Sequence, residues 1–143
     1  MSVIATVAQR VSRRKYGQDL GPIDAMEANT KILLGYGMFE SFLERSTTMP
    51  ESLRYLAVMK TAAMVGCEWC IDFGSMLHAE GGHPEQQLVD LPRFRESDAY
   101  SDDEKLVLEY AEALAATPAG PVDELMPRLR ERFSETQIVE LTA

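Results

Sequence analysis

Cys67 and Cys70 are the two cysteines of this 143-residue chain, and they stand together as Gly66-Cys67-Glu68-Trp69-Cys70. Thiols spaced in this way can close a small-ring disulfide, hold a metal, or cycle between dithiol and disulfide. On a helix, positions i and i+3 share a face, so both sulfurs would point the same way about one turn apart. Gly66 sets Cys67 at or near a helix N-terminus, where unpaired amides and the macrodipole favour an anion. A thiolate there has its pKa lowered, and a second thiol beside it can resolve a sulfenic acid into a disulfide. Glu68 opposes a further anion unless its carboxylate points outward, while Trp69 offers an apolar wall. The plainer alternative is that both cysteines serve as small buried hydrophobes.

His78 and His83 extend the pattern, with seven residues between Cys70 and His78 and four between the histidines. Paired cysteines and histidines suit zinc, but the middle gap is shorter than that of the usual finger. His78 should lie on the cysteine helix about 12 Å along its axis from Cys70, so one ion could not join all four ligands without breaking the helix. The expectation is therefore no metal and no cofactor, with each histidine a helix C-terminal cap or a surface residue. No GxSxG, P-loop, HExxH or GxGxxG motif occurs. Asp102-Asp103-Glu104 reads as the start of a helix, and Met38, Met59, Met64 and Met76 as fillers of core gaps.

The elements that must carry these residues are helical almost throughout. Asp24 to about Arg45 has helical periodicity, with Gly35 and Gly37 expected to bend it or admit close packing. Thr48-Met49-Pro50-Glu51 has the form of a capping box, opening a mostly buried helix to about Val65. Gly66 interrupts, and a helix bearing both cysteines runs to about Glu80. Gly81-Gly82-His83-Pro84 stops it, and a short helix from Pro84 to Val89 and a loop through Ser97 follow. Ser101-Asp102-Asp103-Glu104 forms a second capping box, and Pro118 to Pro121 breaks the helix it opens. Val122, Leu125, Met126, Leu129 and Phe133 mark another helix. Ser134-Glu135-Thr136-Gln137 caps a last one, which reaches Ala143 after about two turns, so a native continuation beyond Ala143 is expected. No alternating pair of runs and no strand–helix–strand pattern is found, which predicts an all-α protein.

Bulk properties narrow the function classes. A formal charge of −9 disfavours nucleic acid, because phosphate binding needs clustered lysine and arginine. The charge is uneven, with 15 acids against 6 bases from Glu80 onward. Arg10, Arg13, Arg14 and Lys15 mark residues 1–23 as a flexible or subunit-docking arm ahead of a single domain over 24–143. No segment reads as a signal peptide or approaches the ~20 apolar residues needed to span a bilayer. A cytoplasmic protein without membrane attachment is expected, and thiols in that compartment are kept reduced.

The run from Arg54 to Cys70, RYLAVMKTAAMVGCEWC, resembles the carboxymuconolactone decarboxylase superfamily on its alkylhydroperoxidase D-like side. The stretch from Ser101 to Thr142 is similar to the C-terminal half of the same family. The resemblance implies an all-α bundle that assembles into homotrimers or homohexamers. It also implies a Cys67/Cys70 dithiol that reduces hydroperoxides or partner disulfides and is itself reduced by a thiol protein. By that carry-over Cys70 attacks and Cys67 donates a proton and resolves, whereas the helix dipole favours Cys67 as the more acidic thiol.

The peroxidase pattern carries a glutamate where this chain has Tyr55 and a histidine where it has Gly74, so both relay side chains are replaced. Glu51 and His78 lie one turn beyond each vacated position and are the candidate substitutes. Tyr55, with an unperturbed pKa near 10, is a poor base at neutral pH. The decarboxylase branch generally lacks the cysteine pair. Two other readings stand beside the redox one: a non-catalytic oligomeric binding or redox-sensing module, and a decarboxylase- or isomerase-type enzyme using Tyr55 or His78.

Overall fold

A computed structural model describes residues 2–143. Among the described residues there are nine α-helices, one short 3-10 turn and no strand, so the protein is all-α. They fall into two compact units, one running up to Ser46 and the other spanning Thr47–Ala143.

The first unit comprises α1 (Val3–Tyr16), α2 (Gly21–Met26) and α3 (Thr30–Arg45). The basic segment expected as an arm is thus largely helix α1, closed by Gly17 in the left-handed conformation (φ 72) with Arg13, Arg14 and Lys15 in the last turn. Buried Gln9 fastens α1 to α2, donating to Leu20 O and Asp24 Oδ1 and accepting from the Leu20 amide. The helix expected from Asp24 to about Arg45 is divided ahead of those glycines, because Asn29 caps α3 through the Ile32 amide. Helix α3 runs through both glycines, and a Cβ added at either would meet nothing within 4 Å. Close packing at those glycines is therefore corrected.

The second unit contains α4 (Glu51–Val65), α5 (Glu68–Glu80), α6 (Glu85–Asp90), the 3-10 turn (Leu91–Arg93), α7 (Asp102–Ala115), α8 (Val122–Arg132) and α9 (Glu135–Thr142). Its centre is α4 against α7. Leu53, Ala57, Val107, Tyr110, Leu129 and Phe133 share one apolar cluster, and Leu56, Met59, Phe94, Tyr100 and Leu108 share a second. Both capping boxes expected at Ser101/Glu104 and Ser134/Gln137 are made, with side chain and backbone bonded reciprocally. Helix α4 buries one face only, since Val58, Met64 and Val65 are exposed.

The cap expected from Thr48 is not made. Pro50 occupies the N-cap position of α4 without a side-chain bond. Glu140 of α9 instead holds the segment just before the helix, its Oε2 accepting from the amides of Thr48 (3.0 Å) and Met49 (3.3 Å) and from the Thr48 hydroxyl. A carboxylate at a helix N-terminus complements the helix dipole. Arg54 Nε lies 3.4 Å from the same carboxylate, tying α4 to α9 by charge as well. Among the described residues no helix is long and apolar enough to cross a membrane.

Candidate functional site

The site is built at the junction of α4 and α5. Helix α4 ends because Gly66 turns left-handed (φ 68), a conformation that costs an L-residue roughly 1–2 kcal/mol but glycine almost nothing. The Cys67 amide then bonds back to Ala62 O at 3.1 Å, which turns the chain into α5. Cys67 becomes the N-cap residue of α5, and its Sγ accepts from the Cys70 amide at 3.2 Å. That is the bond a serine or aspartate makes at such a position. The two residues are joined as a disulfide with their Cα atoms 5.2 Å apart, inside the ordinary range. Both are partly exposed.

Around the pair the surface is apolar with two acids. Trp69 is 40% exposed and stacks on Phe73, ring centroids 4.9 Å apart and nearly parallel. Met64 and Val65 are exposed immediately before the turn. Glu68 and Asp72 are exposed on α5.

The other candidate residues gather one to two turns further along α5. Tyr55 Oη donates to the Gly74 carbonyl. The phenol thus sits in the α5 backbone ladder, and burial pushes its pKa up to about 12. A Cβ at Gly74 would clash with Met59 Sδ and lie 3.2 Å from Tyr55 Oη. The tyrosine and the glycine are therefore complementary, and the phenol with Met59 occupies the space a side chain at position 74 would need.

His78 was expected as a cap or surface residue, and this is corrected: only 2% of it is exposed. Its Nε2 lies 2.9 Å from the Pro84 carbonyl and donates to it, which leaves Nδ1 buried without a partner. The His78 ring lies 5.4 Å from that of Tyr55 and 5.1 Å from that of His83, and His83 stacks on Tyr55 at 6.1 Å. Among the described residues no three His, Cys, Asp or Glu side chains are grouped to hold an ion. Glu51 is exposed in the first turn of α4 and makes no hydrogen bond or ion pair with any described residue. The structure therefore gathers Tyr55 and His78, leaves Glu51 apart, and adds Met59 and His83, which sequence reasoning had placed elsewhere.

Over 132 residues the chain is 37% identical to the uncharacterized protein YnjA of Escherichia coli (strain K12), covering 92% of this chain and 72% of YnjA. The chain belongs to the YnjA family. It is also 34% identical over 98 residues to the uncharacterized protein YdfG of Bacillus subtilis (strain 168), covering 68% of this chain and 67% of YdfG. The chain is also 29% identical over 135 residues to the uncharacterized protein Rv2313c of Mycobacterium tuberculosis (strain ATCC 25618 / H37Rv), covering 92% of this chain and 46% of Rv2313c. No described family profile matches the chain, and no solved structure does.

Proposed function

We propose that this YnjA-family protein is an alkylhydroperoxidase D-like thiol oxidoreductase, whose Cys67/Cys70 dithiol reduces hydroperoxides or partner disulfides. The observation that carries the reading is the disulfide itself, held at a helix N-terminus with Cys67 Sγ as the cap. On reduction, the Cys70 amide that faces Cys67 Sγ, with the helix dipole, favours its thiolate, and Cys70 stands one turn away to close the disulfide again. A cytoplasmic setting with a thiol-protein reductant completes the cycle.

The test follows the loss of thiols from reduced protein at stoichiometric hydroperoxide or peptide disulfide across pH, with Trp69 fluorescence and intact mass as readouts. Rapid loss with a midpoint well below the free-cysteine value of about 8.5, ending in the intramolecular disulfide, supports the proposal. A rate unchanged in both Cys67→Ser and Cys70→Ser eliminates it.

A second reading is a redox-sensing module that cycles without turnover. It is favoured by the Tyr55 hydroxyl being committed to the Gly74 carbonyl, which leaves no phenol to assist the thiols. A reduction potential far below the cytosolic poise, with no thiolate near neutral pH, would select this version.

Either version is proposed as a homotrimer or homohexamer. Helix α3 supports self-association, because Ile32, Leu34, Met38, Phe39 and Phe42 are all exposed, and a patch of that kind marks an interaction surface. Sedimentation that shows a monomer at micromolar concentration removes this part.

A further inference from the structure

We infer that the acceptor matched to this site is a disulfide in an apolar stretch of another protein, not a hydroperoxide, and that Cys67 is the attacking thiol. The inference rests on the redox reading above and narrows it.

The assignment of the nucleophile comes from the junction. Cys67 Sγ already accepts the Cys70 amide at 3.2 Å from the N-cap position. Cys70 lies inside the first turn, with its own amide spent on Cys67. On its face of α5 the next turns bring Gly74, which has no side chain, and then His78. The ring of His78 is buried, donates through Nε2 to Pro84, and starts about 12 Å along the helix from Cys70. Among the described residues, Cys70's own face of α5 therefore offers no base to activate it, whereas Cys67 has the helix terminus.

The acceptor follows from the leaving group. Attack of a thiolate on hydrogen peroxide expels hydroxide, whose conjugate acid has a pKa of about 15.7, so the departing oxygen needs a proton. The Tyr55 hydroxyl cannot supply it, being held by the Gly74 carbonyl with its pKa pushed up to about 12, which leaves the Cys70 thiol, an acid that an unstructured dithiol peptide offers equally. Attack on a disulfide expels a thiolate of pKa about 8.5, which leaves as an anion without help. In the first step Cys67 sulfur bonds one partner sulfur, the partner S–S bond breaks, and the first partner thiolate departs. Cys70 then gives its proton to solvent and attacks the Cys67 sulfur, releasing the second thiolate. The dithiol is oxidised by two electrons and the partner disulfide is reduced to two thiols.

Surface chemistry limits the partner. Met64, Val65 and Trp69 flank the cysteines in the chain and are exposed, while the exposed Glu68 and Asp72 on the same helix start repel anions. An anionic small disulfide such as glutathione disulfide is poorly matched, and a protein segment with apolar flanks is well matched.

The test compares reduced wild type, Cys67→Ser and Cys70→Ser with an unstructured Gly66–Cys70 peptide. Each is mixed with hydrogen peroxide, glutathione disulfide and a cystine peptide flanked by leucines. The expected result is a leucine-flanked disulfide reacting at least tenfold faster with wild type and Cys70→Ser than with the free peptide. Cys67→Ser should fall to the peptide rate, glutathione disulfide should be at least threefold slower, and hydrogen peroxide should gain nothing over the peptide. Acceleration of peroxide, or a faster Cys67→Ser than Cys70→Ser, overturns this inference and leaves the redox reading standing. Rates equal to the peptide for every oxidant and both variants overturn the two together.

Discussion

Tyr55 donates its hydroxyl proton to the carbonyl of Gly74, and a Cβ at Gly74 would come within 3.2 Å of that hydroxyl. A large residue on α4 and the smallest residue on α5 thus share one volume, with Met59 Sδ closing it. Introducing Gly74→Ala should cost roughly 1–3 kcal/mol, the usual range for overpacking a filled site. Urea unfolding of Gly74→Ala, Met59→Ala and the double variant would check it. The double variant should lose less than the two single losses combined, because removing the Met59 side chain opens the space the new methyl requires. Additive losses would mean that the alanine is accommodated elsewhere.

The same phenol predicts an alkaline instability. Tyr55 and Tyr100 are both raised by burial to about 12 in the folded protein, against about 10 for an unperturbed tyrosine. Between those values the unfolded chain releases protons that the folded chain retains, so stability should fall as pH rises from about 10 towards 12. Thermal unfolding at steps from pH 8 to 11.5 would show the decline. Tyr55→Phe should flatten its slope, and an unchanged slope would place the titration elsewhere.

Much of this fold was legible in local sequence, and the failures have a common cause. The Ser101/Glu104 and Ser134/Gln137 boxes formed because each needs only residues three apart. Gly66 and Cys67 could likewise be placed from the glycine and the apolar pattern alone. Thr48 was misread because its partner is Glu140, 92 residues away, and no local pattern announces such a bond. The burial of His78 was also invisible, since it depends on Tyr55 from α4 and on the turn that brings Pro84 and His83 back over α5. At the site, a tyrosine at position 55 and a glycine at position 74 could be read from residue types. That the two residues fit one another required the packing of α4 on α5.

Acid should loosen the segment after α6 by the opposite route. Asp90 accepts from the Ser97 hydroxyl at 2.7 Å and from Arg93 at 2.8 Å, and its pKa is held down to about 2, with the Ser97 hydrogen bond the leading cause. A depressed carboxyl stabilises the fold fully above about pH 4 and loses that contribution as pH falls towards 2. Asp90→Asn should therefore lower stability at neutral pH and narrow the difference from wild type at pH 2.5. Urea midpoints at both pH values would check this, and a difference that stayed constant would show that the carboxylate charge is not involved.

Glu140 offers the sharpest test of how α9 is held. Its carboxylate is almost fully buried, binds the amides of Thr48 and Met49 just before α4, and pairs with Arg54. Removing one partner of a buried charge pair leaves the other without compensation and also leaves two amides unsatisfied. Glu140→Ala should cost roughly 3 kcal/mol, on the scale of a lost buried charged partner. Glu140→Gln keeps an oxygen for the amides while discarding the charge, so it should recover part of that loss. The recovery should be larger in a background of Arg54→Met, where the glutamine no longer faces an unpaired guanidinium. Equilibrium unfolding of the four variants would measure it, and equal losses for Glu140→Ala and Glu140→Gln in both backgrounds would show that neither the amide bonds nor the ion pair anchors the C-terminal helix.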